Sequence, residues 1–285
     1  MFDQLMLGVG LLIVAYASYV DWWTTEVPDW LTYLGISIGL GSRAMYSFIE
    51  SDWSFFMAGL IAFGILAAIG CLLYYTAQWG GGDTKLLMAL GALLGIEPIM
   101  NGSLVAFLLN LLIVGGAYGL VYTMVLGVRH RKKTSKHLKR LVSSREGIQI
   151  KALSYSTALL FLILAFFTHD FLKTGLIVGA MVLPMSFYVW LFTKSVEDAA
   201  LVKKIDPDVL TEGDWVLDTI IHKGKEICSP KDPGVSLKQI AQLRALKQKG
   251  VIRTITMKQG IPFIPAFLIA YVLMLTVGNL LLFLI

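Results

Sequence analysis

Apolar and polar stretches alternate along this chain on the length scale of a lipid bilayer. Apolar runs fall at about 4–20, 31–49, 54–77, 84–99, 102–127, 153–168, 171–193 and 262–285, separated by short turns or by two longer polar segments. Roughly 20 apolar residues in a helix cross the hydrocarbon core, and a helix satisfies its own backbone hydrogen bonds there without closing a barrel. The pattern predicts an all-α polytopic membrane protein of about eight transmembrane helices, with 84–99 and 153–168 short for full spans. The first run leads straight into "YVDWWTTEVPDW", with no basic region before it and no small-residue cleavage site after it. It therefore reads as a retained span rather than a signal peptide.

The two long polar segments carry the charge. Segment 129–151 holds nine Lys or Arg against one acid, and 194–260 holds twelve against nine. Basic segments stay in the cytoplasm, so eight spans with both termini outside put both segments, and the turns at 21–30 and 78–84, on the cytoplasmic side. That arrangement accounts for 22 of the 24 basic residues, leaving Arg43 and Lys173 outside. The net charge of +5 then reads as an orientation signal and a contact with membrane lipids, not as a nucleic-acid arm. Segment 194–260 also carries turn signals around "VSLKQIAQLRALKQKG", whose Val235, Leu237, Ile240, Ala241, Leu243 and Leu246 form a helical stripe closed by Gly250. The following "VIRTITMK" alternates as a strand does. A small α+β cytoplasmic module is expected there. The division is an N-terminal membrane region (1–128), a basic loop (129–152), a helix pair (153–193), the module (194–260) and a last span (261–285).

Composition narrows the chemistry. With 56% hydrophobic and 15% charged residues, two cysteines (Cys71, Cys228) and four scattered histidines, neither a disulfide framework nor a metal site is suggested, and no cofactor is expected. Phosphate-binding Walker, GxSxG, HExxH and dinucleotide signatures are missing from the sequence.

Two acids stand at helix ends where acids are costly. Asp21 closes the first run and Asp83 follows three glycines, Gly80, Gly81 and Gly82, in "QWGGGDTKLL". An ionisable residue in a membrane domain is a functional candidate by default. Each also has a plain reading, Asp83 as a helix N-cap and Asp21 as the interfacial end of a span. As a pair they suggest more. Three glycines let another backbone approach, and two carboxylates in a partly dry cleft share a proton. One then acts as general base on water while its protonated partner polarises a carbonyl. Lys85 opposes the helix macrodipole and reads either as a snorkelling cation or as a contact for a substrate carboxylate. Trp22, Trp23, Trp30 and Trp79 read as an interfacial aromatic belt. Pro28 and Asp29 open the second helix, and Pro262 in "QGIPFIPAF" stiffens the start of the last span, where it can wall the site.

The segments "DWWTTEVPDWLT" (21–32) and "GGGDTKLL" (80–87) resemble the two motifs of the type IV prepilin peptidases and archaeal preflagellin peptidases, intramembrane aspartic proteases marked by GxGD. The likeness covers roughly residues 1–125. It implies that Asp21 and Asp83 are the catalytic pair, that Gly80 and Gly82 shape the second motif, and that the substrates are leader (class III signal) peptides of prepilins, preflagellins (archaellins) or similar surface proteins, cut at the cytoplasmic face of the plasma membrane. "GIPFIPAFLIAY" is similar to the archaeal branch. Many bacterial members insert a four-cysteine zinc segment between the first two helices and also N-methylate the product. Here that turn is about ten residues without cysteine, which implies neither zinc nor methyl transfer. A presenilin-like protease with another substrate, and a proton-coupled transporter relaying ions through the two Asp, remain the alternatives.

Overall fold

Each apolar run carries a helix, and the helices stop where the backbone chemistry changes. The computed structural model describes residues 2–76, 78–97, 102–230, 232 and 234–284. Helix α1 (Phe2–Thr24) ends at Thr25, whose φ is 56°. Helix α2 (Asp29–Glu50) begins after Pro28, held extended at φ −61° and ψ 126°. Then come α3 (Ser54–Tyr75), α4 (Gly81–Leu94), α5 (Ser103–Arg129), α6 (Arg131–Val142), α7 (Arg145–Phe166) and α8 (Asp170–Val196), which runs on into a π-helical turn (Glu197–Leu201). The remainder alternates: β1 (Val202–Ile205), β2 (Trp215–Val216), β3 (Ile220–His222), β4 (Lys225–Cys228), α9 (Leu237–Gln248), β5 (Ile255–Lys258), α10 (Ile264–Thr276) and α11 (Leu280–Leu284).

The protein is a helical, polytopic membrane protein, 75% helix. Five helices, α1, α3, α5, α7 and α8 with its π-turn, are long and apolar enough to cross a membrane. The other three expected spans are different objects. Helix α2 has 22 residues but is broken in character by Arg43, while α4 and α10 have 14 and 13 residues, short of a full crossing. Run 153–168, which looked short, lies in a 22-residue helix because α7 starts at Arg145. The last run is two helices, parted at Gly278, whose φ is 80°. Asn110 of α5 repairs that break: its Nδ2 donates to Gly278 O at 2.8 Å and its Oδ1 accepts from Leu280 N at 2.9 Å.

The stretch expected as a basic loop is largely helical. Lys, Arg and Leu are good helix formers, no Gly or Pro interrupts 131–142, and Ser144 caps the next helix by accepting from Gly147 N at 3.0 Å. By contact the chain divides into two compact units, Met1–Gly119 with Lys204–Ile285, and Leu120–Lys203. In the second, α7 packs along α8, and α6 lies against α8 and the π-turn.

In the first unit α4 is the central element. It touches α1, α2 and α3, and Leu86, Leu87, Ala89, Leu90, Ala92 and Leu93 are all buried. The approach of α2 is close: a Cβ on Gly39 would lie 2.7 Å from the Ala92 carbonyl carbon. Such contact between small residues is how helices gain packing energy inside lipid, where no hydrophobic drive separates them from their solvent. Helix α10 packs on α1, and Tyr271, fully buried, donates its hydroxyl to Leu7 O at 3.0 Å.

In the α+β part Val235, Ile240 and Leu243 face inward with Val216, Ile255 and Met257, and Leu246 is buried, whereas Leu237 and Ala241 of the expected stripe are exposed, so the buried face of the helix is narrower than its apolar spacing suggested. Strand β5 pairs antiparallel with β2, Trp215 opposite Lys258, in a sheet of order β1-β5-β2; β3 and β4 form a separate hairpin. Ser236 and Gln239 close a capping box on α9.

Arg43 explains how α4 ends inside apolar surroundings. Only 3% exposed, it donates Nη2 to Leu93 O at 2.8 Å and Leu94 O at 2.7 Å, and Nε to Ala92 O at 3.1 Å. These are carbonyls that a helix C-terminus leaves unpaired, and a cation there also complements the macrodipole. Arg43→Met leaves three buried acceptors open, at about 1–3 kcal/mol each, and should lower the unfolding temperature in detergent well beyond Arg43→Lys, whose single ammonium reaches fewer of them.

Candidate active site

The two acid-bearing segments meet at one end of the first unit. Asp21 lies in the last turn of α1, one turn before the helix stops, and is 4% exposed. Its Oδ2 accepts the backbone N–H of Ile264, the first residue of α10, at 2.9 Å. A helix N-terminus directed at a carboxyl group supplies both a donor and favourable dipole charge. In the "PFIP" segment it is thus a backbone N–H, not a proline ring, that meets this carboxyl group.

Asp83 is not the N-cap of α4. Gly80 occupies that position with φ −73° and ψ 162°, and Asp83, at the third helical position, reaches back so that its Oδ2 accepts Gly80 N–H at 3.1 Å. This is one half of a capping box; glycine has no side chain to supply the other. Thr84 ties the turn to α3, donating Oγ1 to Gly70 O at 3.2 Å and to Gly80 O at 3.1 Å. Asp83 is partly exposed, and its carboxyl lies within Coulombic reach of Asp21.

The glycines have unequal jobs. A Cβ on Gly82 would sit 2.9 Å from Val27 Cβ and 3.2 Å from Val27 N, whereas one on Gly81 would find only Tyr74 at 3.7 Å. The backbone that comes close at Gly82 is therefore the chain's own turn between α1 and α2. A Cβ on Gly80 would meet the chain's own Asp83 Oδ2 at 3.3 Å.

Lys85 joins the same two segments. Its Nζ donates to Asp29 Oδ1 at 2.6 Å and lies 5.6 Å from the Tyr33 ring centre. The partner of Lys85 within the chain is Asp29 in the first turn of α2. The pair was not legible because the sequence does not say that α2 and α4 start side by side. Pro28 is the N-cap of α2, and the Pro262 carbonyl accepts the Tyr118 hydroxyl at 2.8 Å. Trp79 leaves the aromatic belt and packs inward on Phe263 and Phe267, with ring centres 5.8 and 5.5 Å away, while Trp22, Trp23 and Trp30 stay exposed. The α+β part reaches this edge too: burial raises the Asp214 carboxyl above its ordinary value and Glu26, in the α1–α2 turn, adds to the rise. Among the described residues no group of three or more His, Cys, Asp or Glu is arranged to hold a metal ion.

Comparison with known proteins agrees with these motifs. Residues 8–120 match the model of the type IV leader peptidase family. It is 35% identical over 97 residues to the prepilin peptidase EppA of Methanothermobacter thermautotrophicus, covering 34% of this chain and 25% of that protein. Over 87 residues it is 32% identical to the preflagellin peptidase of Methanocaldococcus jannaschii, covering 30% of this chain and 36% of that protein. The matches thus span about a quarter to a third of these relatives' length. No solved structure matches the chain.

Two stability measurements in detergent check this geometry. Gly82→Ala should cost about 1–3 kcal/mol by overpacking against Val27, and Gly81→Ala should stay within about 0.5 kcal/mol of the parent. Asp29→Asn and Lys85→Met should each cost up to about 1 kcal/mol, because the pair is partly solvated, and their double-mutant cycle should show that the two losses are one interaction.

Proposed function

We propose that the protein is an intramembrane aspartic endopeptidase that removes the leader (class III signal) peptide from prepilin, preflagellin (archaellin) or related surface-protein precursors. What carries this reading is the meeting of the two motifs of the family at one helix end, with Asp21 and Asp83 in Coulombic reach of each other, Gly82 against Val27 and Lys85 on Asp29.

In this reading the two carboxyl groups share one proton. The ionised one takes a proton from water as the water oxygen attacks the scissile carbonyl carbon. Its protonated partner donates to the carbonyl oxygen; as the C–N bond breaks, the proton held by the base passes to the departing amine, and a hydroxyl of the tetrahedral intermediate returns its proton to the partner while the carbonyl re-forms as the new carboxyl group. Both acids are restored and one water is consumed. Because Asp21 is buried, substrate and water reach it only by displacing part of what covers it, the Ile264 N–H on its Oδ2 included. The basic cytoplasmic segments suit a basic leader poorly, so recognition rests on the precursor's hydrophobic helix lying between spans.

The topology that fits is eight crossings of the plasma membrane with the site and the α+β module on the cytoplasmic side. Short α4 and α10 are tolerable because their backbone ends are satisfied within protein. The archaeal source of both relatives suits an archaeal cell.

Co-expression with a prepilin or preflagellin precursor, followed by blotting for the leader-dependent size shift, tests the proposal. Asp21→Asn and Asp83→Asn should each slow cleavage by roughly 10²- to 10⁴-fold at parental expression. Normal processing by either variant refutes the dyad, and ion flux without any processing by the parent would favour a transporter.

A further inference from the structure

A cavity of about 390 Å³ opens in the second unit, between α6 and the π-helical turn that ends α8. From α6 it is lined by Lys133, Lys136, His137 and Arg140, and from the turn by Asp198. The four basic residues recur at i, i+3, i+4 and i+7, so one face of α6 delivers them together.

Charge in this cavity is out of balance. Asp198 is shared between His137 Nδ1 at 3.9 Å and Lys194 Nζ at 3.8 Å, and Lys194 also pairs with Glu197 at 2.8 Å. Lys133, Lys136 and Arg140 make no ion pair among the described residues. Three cations therefore converge on a concave space whose nearby acids are already engaged. The π-helical turn is itself a rare device, mostly found as single turns at functional positions.

Position selects the kind of anion. Helices α7 and α8 are long and apolar enough to cross a membrane, and the cavity sits just before the start of α7 and just after the end of α8. That is the level of lipid headgroups, where basic pockets between spans hold phosphate. We propose that this cavity binds a phosphate-bearing anion, and that the anion is the headgroup of an acidic phospholipid.

The full-length protein in neutral detergent is titrated with phosphatidylglycerol, phosphatidylcholine or inorganic pyrophosphate. Thermal unfolding reports binding by linkage, and native mass spectrometry counts retained lipid. Phosphatidylglycerol should raise the unfolding temperature saturably and remain as a single bound lipid, while phosphatidylcholine and pyrophosphate should not. The triple variant Lys133→Gln, Lys136→Gln, Arg140→Gln should lose about tenfold or more in apparent affinity. A charge-matched control, Arg131→Gln, Lys132→Gln, Lys139→Gln, exchanges equally exposed residues on the other faces of α6 and should lose less than about threefold. Equal losses in the two triples would mean a diffuse basic surface and overturn the site. So would a parent protein that no probe stabilises. If pyrophosphate alone gave the full shift, and the first triple abolished it, the lipid source would be overturned.

Discussion

A short helix buried on all sides must have both of its ends satisfied by protein, and the first unit is arranged around meeting that requirement for α4. Its 14 residues leave free N–H groups at one end and free carbonyls at the other, and at the buried carbonyl end neither water nor lipid can serve them cheaply. At the carbonyl end α2 supplies the Arg43 guanidinium, which donates to Ala92, Leu93 and Leu94. At the other end Asp83 folds back on the Gly80 N–H. Helix α2 must therefore run close beside α4, which is why Gly39 faces the Ala92 backbone with no room for a side chain.

The same constraint shapes the candidate site. With α2 pinned to α4, the turn from α1 into α2 is brought onto the first turn of α4, so that Val27 touches Gly82 and Asp29 meets Lys85. Helix α10 closes the other side by aiming its N-terminus at Asp21 and stacking Phe263 and Phe267 on Trp79. Asp83 is held by the same geometry: its carboxyl accepts the Gly80 N–H, and a side chain fixed in the first turn of a packed helix has few rotamers left.

A buried Arg and a partly solvated Asp–Lys pair contribute in different ways. Arg43 is costly to desolvate, and its value lies in the carbonyls it satisfies rather than in any ion pair. Lys85 and Asp29 gain little from Coulomb attraction at their exposure, but they set the register of two helix starts.

Much of this architecture could be read from the order of residues. Bilayer-length apolar runs predicted the helices because the helix is the one local solution that pairs every backbone group in lipid. In the α+β part, the spacing of Ile240, Leu243 and Leu246 and the alternation through Ile255 and Met257 marked the buried faces, since those periods follow from backbone geometry alone. "DWWTTEVPDWLT" and "GGGDTKLL" named the acids. Local pattern misled where a competing local rule was stronger: the Lys- and Arg-rich stretch at 131–142 looked like a loop, yet its helix-forming residues, free of Gly and Pro, wind into α6. What tertiary structure decided was partnership. Arg43 as the cap of α4, Asn110 as the repair of the break at Gly278, Lys85 on Asp29 and Ile264 on Asp21 join residues between 49 and 243 positions apart. No local propensity encodes such a pairing. It exists only after helices pack, when each buried polar group must find whichever partner the fold has carried within 3 Å or so.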